Sequence, residues 1–200
     1  MSSPPSLVLI GPAAAGKTTA GSLAAVILGV SFVDIDDVGG RYYAEVGWSI
    51  DRLVRRSKEV GRVAAEWDWE PARAHAVRRA VADHPGAVLA LGAGHTSYTD
   101  PGCRAEVRAA LSSVPRVVLL LPSEERGSAL AELRQRSRAS KGTDWISSGH
   151  DFLAEWLDDE GLRSLATDTV LTAGRQPQET AEQVAALLGP SARGVDRTGS

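Results

Sequence analysis

The sequence is short of cysteine, phenylalanine, lysine and long apolar runs, and each shortage excludes something. Its 200 residues include one cysteine, Cys103. No intrachain disulfide can form, and a reducing compartment is expected. A lone cysteine is ordinarily a small apolar filler. That cysteine and the four histidines show no metal-ligand spacing, which argues against a structural zinc site. No Gly-x-Ser-x-Gly elbow is present. No apolar run approaches the ~18 residues of a membrane-spanning helix. The opening Met1-Ser2-Ser3-Pro4-Pro5 has no basic stretch followed by an apolar core, so it does not read as a signal peptide. The expectation is a cytoplasmic protein with no membrane partner. A basic excess is missing too. Twenty-two Lys and Arg against 25 Asp and Glu give a net charge of −3, so no nucleic-acid partner is expected. Only Lys17, Lys58 and Lys141 are lysines, which makes each one worth attention.

What is present is a set of short apolar runs at 6–10, 31–35, 87–91, 116–121 and 168–172. They do not alternate and are rich in Val, Leu and Ile, as strands buried on both faces of a parallel sheet are. Helical stretches lie between them, at 17–29, about 50–83, 101–112, 123–138, 150–165 and 177–188. The alternation predicts one doubly wound α/β domain over 1–188. Segment 38–84 is too long for a simple crossover and reads as a helical substrate-binding insert. Segment 137–150 is polar, with two glycines, and reads as a lid. The tail 189–200 is expected to be disordered.

The first strand runs into Gly11-Pro12-Ala13-Ala14-Ala15-Gly16-Lys17-Thr18, followed by Thr19 and a helix. This is the phosphate-loop pattern in the context it requires. The glycines permit backbone angles other residues resist. The amides of Ala13, Ala14, Ala15 and Gly16 can then point inward at phosphate oxygens, helped by the helix dipole. Lys17 is expected on the β- and γ-phosphates and Thr18 on Mg²⁺. No Asn/Thr-Lys-x-Asp base-reading motif marks a GTPase. The apolar run Val117–Leu121 is followed by Pro122-Ser123 rather than the Asp-Glu of motor-type ATPases.

The second run ends in Asp34-Ile35-Asp36-Asp37. Carboxylates at the carboxyl end of a strand beside the phosphate loop point into the ligand crevice. At i, i+2 they lie on one side of a strand end. One carboxylate suits a magnesium hydration shell and the other an acceptor hydroxyl. With the phosphate loop, this Asp-x-Asp, the turn Leu91-Gly92-Ala93-Gly94 and the closing Thr172-Ala173-Gly174-Arg175-Gln176-Pro177, the chain resembles the shikimate kinase family over about 6–188. The resemblance implies a P-loop three-layer α/β sandwich of the nucleoside-monophosphate-kinase type, five parallel strands in the order 2-3-1-4-5, and Mg-ATP as phosphoryl donor. It places Asp34 on the magnesium side and Asp36 on the acceptor hydroxyl. Arg175 and Pro177 match the loop flanking adenine. Arg134 would pack on the base, and Arg138 would be the lid arginine.

The acceptor half departs from the family. Shikimate kinases hold a substrate carboxylate with an arginine in Phe-Arg-x-x-Glu and another in Lys-Arg-x-x-x-Tyr. Pro71 falls near the first position, with Arg73 two residues away to substitute, and the second falls at Asp158-Asp159-Glu160. The lid lacks the family's Arg-Pro-Leu-Leu. Trading cations for carboxylates disfavours an anionic acceptor, so a neutral polyol, an amino-containing sugar or cyclitol, or a nucleoside-like alcohol is expected. Trp48, Trp67 and Trp69 are either buried packing or a floor for such a substrate, with Trp69 the candidate contact. His95 either caps the glycine turn or meets a substrate hydroxyl. His150 and Asp151 either open a helix or face the acceptor. Trp156 reads as core. The reading is a small-metabolite kinase, monomeric or weakly dimeric, with Lys17, Asp36 and Arg138 as its catalytic groups. A shikimate or gluconate-kinase-like enzyme, or an ATP-binding regulatory module, are the alternatives.

Overall fold

Continuous Val, Leu and Ile cannot face water on one side, so these runs form strands covered on both faces. A computed structural model describes residues 3–189 of the chain; residues 190–200 of the expected disordered tail lie outside the described residues. The strands are β1 (Leu7–Ile10), β2 (Phe32–Asp34), β3 (Val88–Ala90), β4 (Val117–Leu121), the short β5 (Ile146–Ser147) and β6 (His150–Asp151), and β7 (Asp168–Leu171). Five of them pair in parallel in the order β2-β3-β1-β4-β7. The last strand of the expected 2-3-1-4-5 order is therefore β7, because β5 and β6 intervene as a separate antiparallel pair. Every residue of β1, β3 and β4 is buried.

The helices are α1 (Lys17–Leu28), α2 (Ile35–Glu45), α3 (Ile50–Val60), α4 (Arg62–Asp83), α5 (Pro101–Leu111), α6 (Arg126–Lys141), α7 (Phe152–Asp158), α8 (Glu160–Leu165) and α9 (Pro177–Ala186). The long helix expected over 50–83 breaks at Gly61, whose φ of 88° is left-handed, a conformation glycine adopts readily. The stretch expected over 150–165 divides where Asp159 caps α8. The lid segment 137–150 is built differently from expectation. Helix α6 carries on to Lys141, and the rest folds into the β5–β6 hairpin. Ser148 and Gly149 both have positive φ, 51° and 80°, the backbone of a tight two-residue hairpin turn.

The insert is tied to the sheet by one buried carboxylate. Glu70 of α4 is 2% exposed. It accepts hydrogen bonds from the Thr99 amide (2.7 Å), the Thr99 hydroxyl (2.9 Å) and the Asp100 amide (2.8 Å). Asp100 in turn caps α5 through the Cys103 amide. These bonds set the loop after β3 against the insert. Glu70→Ala leaves buried donors unpaired and is expected to destabilise the protein by about 3 kcal/mol. Thermal unfolding should show Tm lowered by roughly 6–12 °C, and a shift within experimental error removes Glu70 from this role.

Candidate active site

The loop after β1 turns back on glycine. Gly11 has φ 137°, and a Cβ there would stand 2.5 Å from the Leu120 carbonyl of β4, so only glycine lets the loop lie this close to the sheet. Gly16, at φ 98°, opens α1. Lys17 follows and is buried. Its Nζ donates to the carbonyls of Gly11 and Pro12, each at 2.7 Å, which uses two of three N–H donors. Burial lowers its pKa to about 8, against the opposing pull of Asp36 and Asp34.

Asp34 joins two elements. Its Oδ2 accepts from the Thr18 hydroxyl at 2.6 Å, and its Oδ1 accepts from the Asp36 amide at 3.0 Å, capping α2. The acidic pair therefore does not share one strand end as expected. The strand stops at Asp34, and Asp36 sits in the first turn of α2, because the Asp34 side chain satisfies a free helix N–H. Burial, with Asp34 nearby, raises the Asp36 pKa above the ordinary carboxylate range.

A cavity of about 680 Å³ extends from this loop. Ala13 to Thr19 line it, with Asp34 and Asp36 on one flank and Arg175 and Pro177 on another. Trp69, Arg73 and the turn Gly92-Ala93-Gly94-His95 form the far wall. Gly11 takes part through its carbonyl on Lys17.

Four expected residues lie elsewhere. Arg138 has a 64% exposed side chain bonded to Asp144. Arg134 pairs with Asp151. Asp151 also caps α7 through the Ala154 amide, and His150 pairs with Glu155. The reason is helical phase. Residues four apart share a helix face, and Arg134 and Arg138 lie together on the α6 face turned from the cavity, beside a shallow groove. The cavity face of α6 instead presents Arg136, Ala139, Ser140 and Lys141. Arg136 donates from Nη1 to the Thr172 hydroxyl at 2.9 Å. The charge of Lys141 is felt at both Lys17 and Asp36. Sequence reasoning missed Lys141 as a site residue, although its rarity in an arginine-rich chain was the available signal. It also missed Arg62 and Trp156 on the cavity, whereas Glu66, one of the acidic residues around the insert's tryptophans, is among those expected near the pocket wall.

The far wall is aromatic and polar. Tyr43, Trp69 and His95 cluster, with Tyr43–Trp69 ring centres 5.0 Å apart and edge-on. The Tyr43 hydroxyl and His95 Nε2 share a 2.6 Å hydrogen bond. Arg73 crosses beneath the turn. Its Nη1 donates to the Gly94 carbonyl (2.6 Å) and its Nη2 to the Glu66 carbonyl (3.1 Å). The Glu66 carboxylate lies 3.8 Å away and is itself paired with Arg62 at 2.5 Å. A side chain at position 94 would collide with the guanidinium, so the glycine is what lets Arg73 reach the turn.

No protein-family model matches the chain. A shikimate kinase of Salinispora arenicola (strain CNS-205) is 30% identical over 191 residues, which span 92% of this chain and 98% of that protein. One of Saccharopolyspora erythraea is 40% identical over 94 residues, 45% of either protein. Among solved structures, shikimate kinase from Acinetobacter baumannii in complex with shikimate superposes with a TM-score of 0.66 at 24% identity, over 93% of each chain, and shares the fold.

The buried His95 imidazole gives a direct check on the wall. Burial first, then the charges of Arg73 and Lys17, depress its pKa to about 3. The unfolded chain takes up that proton near pH ~6.5, the folded one does not, so this group makes stability fall as pH drops from there toward 3. NMR titration between pH ~8 and ~5 should leave the His95 ring shifts unmoved. A midpoint near the ordinary value contradicts the geometry.

Proposed function

The chain belongs to the shikimate kinase family, and we propose that it transfers the γ-phosphate of ATP to a hydroxyl of a small, uncharged metabolite. The observation that supports this reading best is the shared cavity: Asp36 faces the same space as the phosphate loop and Lys17. The loop amides and the α1 N-terminus would cradle the phosphates, and the third N–H of Lys17 would reach the transferring group. Thr18 and Asp34 fit a magnesium ion, offering one neutral and one charged oxygen 2.6 Å apart, the hard donors such an ion takes beside phosphate oxygens and water. Bound there, the ion would neutralise charge on the β- and γ-phosphates. Asp36, made more basic than an ordinary carboxylate, would orient the acceptor hydroxyl and take its proton as the oxygen attacks phosphorus. Lys141, at the end of α6, replaces Arg138 as the cation brought over the phosphates. Arg175 and Pro177 border the space for the base.

That the acceptor carries no negative charge is supported by Arg73. Both ends of its guanidinium fork are held by carbonyls, and Glu66 balances its charge. A carboxylate would have to displace those bonds to gain the bidentate contact that makes arginine selective. Asp158, in the region where the family carries its second arginine, is spent on Arg126 at the surface.

Lys17→Ala is expected to abolish phosphate transfer. Asp36→Asn should cut kcat by about 10²-fold or more while changing ATP affinity less than about 3-fold. Wild-type kcat/KM should fall as pH is lowered through the raised Asp36 pKa, because the protonated acid cannot take a second proton. Coupled ADP-release assays read all three. Near-normal turnover in Asp36→Asn removes it as the base. Lys141→Ala should lower kcat about 10-fold or more and Arg138→Ala less than about 2-fold. The reverse order returns the lid role to Arg138.

A further inference from the structure

Three of the chain's five tryptophans, Trp69, Trp145 and Trp156, line this same cavity. They come from α4, the lid hairpin and α7, so no local sequence pattern gathers them. Each is fixed by another aromatic. Trp145 meets Trp156 edge-on with ring centres 5.1 Å apart at 68°, and Trp69 meets Tyr43. Trp145 holds a left-handed φ of 61°, uncommon for a bulky side chain. Its Nε1 donates to the hydroxyl of the fully buried Ser137 at 2.9 Å. The indole's polar edge is thus used within the protein, and the ring itself is what the cavity receives.

The Trp69 side of the cavity is unfinished. Trp69 Nε1, Arg73 Nε and His95 Nδ1 are buried without a hydrogen-bond partner, and all three residues line this cavity. Native proteins rarely leave one such atom unpaired, let alone three in one wall. Free charge is scarce there. Glu66 is held by Arg62 and Arg73, and the other carboxylate on this side, Asp36, is the proposed base for the acceptor hydroxyl, so no carboxylate is given over to binding an ammonium group. The fork of Arg73 is taken, leaving none for an anion. A ligand for this space needs several hydroxyls on one side, an apolar face on the other, and no charge. Such a pairing of apolar walls with a few directed polar groups is how small-ligand sites select.

We propose that the acceptor is a saturated six-membered polyol, a pyranose or cyclitol, whose C–H face lies on the Trp145–Trp156 pair and whose hydroxyls complete the hydrogen bonding of Trp69, Arg73 and His95. This rests on the kinase reading above and narrows it, since linear polyols lack the apolar face and aminosugars and nucleosides bring other chemistry. The test is acceptor-dependent ADP release from Mg-ATP by the full chain, with product phosphate located by mass spectrometry. The panel is glucose and myo-inositol as rings, sorbitol as the linear polyol, glucosamine as the cation, adenosine as the nucleoside, and shikimate and gluconate as anions. A ring polyol should show kcat/KM at least about 10-fold above every other class. Trp145→Ala should raise KM for that ring about 10-fold with a smaller change in kcat, and Trp145→Phe should restore most of it. Trp145 is half-buried and packs against the core from the hairpin side, so Trp145→Ala is read only with its melting temperature beside it, and Trp145→Phe, which keeps an aromatic face, carries the same test if the alanine variant unfolds. Preferred turnover of sorbitol or adenosine, or an unmoved KM in Trp145→Ala, overturns the inference and leaves the kinase reading standing; preferred turnover of glucosamine, shikimate or gluconate overturns the inference and the uncharged acceptor with it, and leaves ATP-dependent phosphate transfer standing. Acceptor-dependent ADP release that survives Lys17→Ala, or no phosphate transferred to any panel member, overturns both.

Discussion

The carboxylate of Asp34 holds the donor half of the site together. One oxygen takes the Thr18 hydroxyl, which belongs to the helix behind the phosphate loop, and the other takes the first free N–H of α2. A single side chain therefore fixes the loop, the end of β2 and the direction in which α2 departs. Asp36 owes its place to that cap, being delivered into the cavity by the first helical turn rather than by the strand. The same proximity makes Asp34 one cause of the raised basicity of Asp36, after burial. Positioning and acid–base tuning thus come from one contact.

The acceptor half depends on a different constraint, the narrowness of the Gly92–Gly94 turn. With no side chain at 94, Arg73 reaches the turn's carbonyl and is held there. A buried guanidinium needs its donors satisfied and its charge balanced, and Glu66 and the backbone supply both. An arginine that meets its own needs within the protein has little left for a substrate anion. On the proposed reading, this charge neutrality is what would separate the site from one built for a carboxylate. Around it the aromatic cluster of Tyr43, Trp69 and His95 excludes water, and that exclusion keeps the imidazole neutral.

The lid region shows how far one-dimensional reading carries. Its polarity and glycines single out a segment of the sequence, and the chain there forms the end of α6 and a hairpin apart from the main sheet. Which of its basic residues faces the cavity is a matter of helical phase. A step of two residues along a helix turns a side chain most of the way to the opposite face, so Arg134 and Arg138 lie on one side of α6 while Arg136 lies on the other. Where α6 stops also matters, because its last turn carries Lys141 to the cavity. Trp145 lay in the recognised lid, and Trp156 was read as core. Their meeting at 5.1 Å is a tertiary event.

The sequence by itself determined the phosphate loop, the α/β order of elements, the presence of an acidic pair and the glycine turn after β3. These are properties of contiguous residues: backbone angles that glycine permits, apolar runs that demand a sheet, caps formed within three residues. Tertiary structure alone decided the rest. It set Asp36 in a helix, spent Arg73 on carbonyls 7 and 21 residues away, placed Lys141 rather than Arg138 at the cavity, and gathered three indoles from three elements. Each of those outcomes turns on a partner distant in the chain or on the rotation of a helix about its axis. Composition and spacing do not encode either one locally.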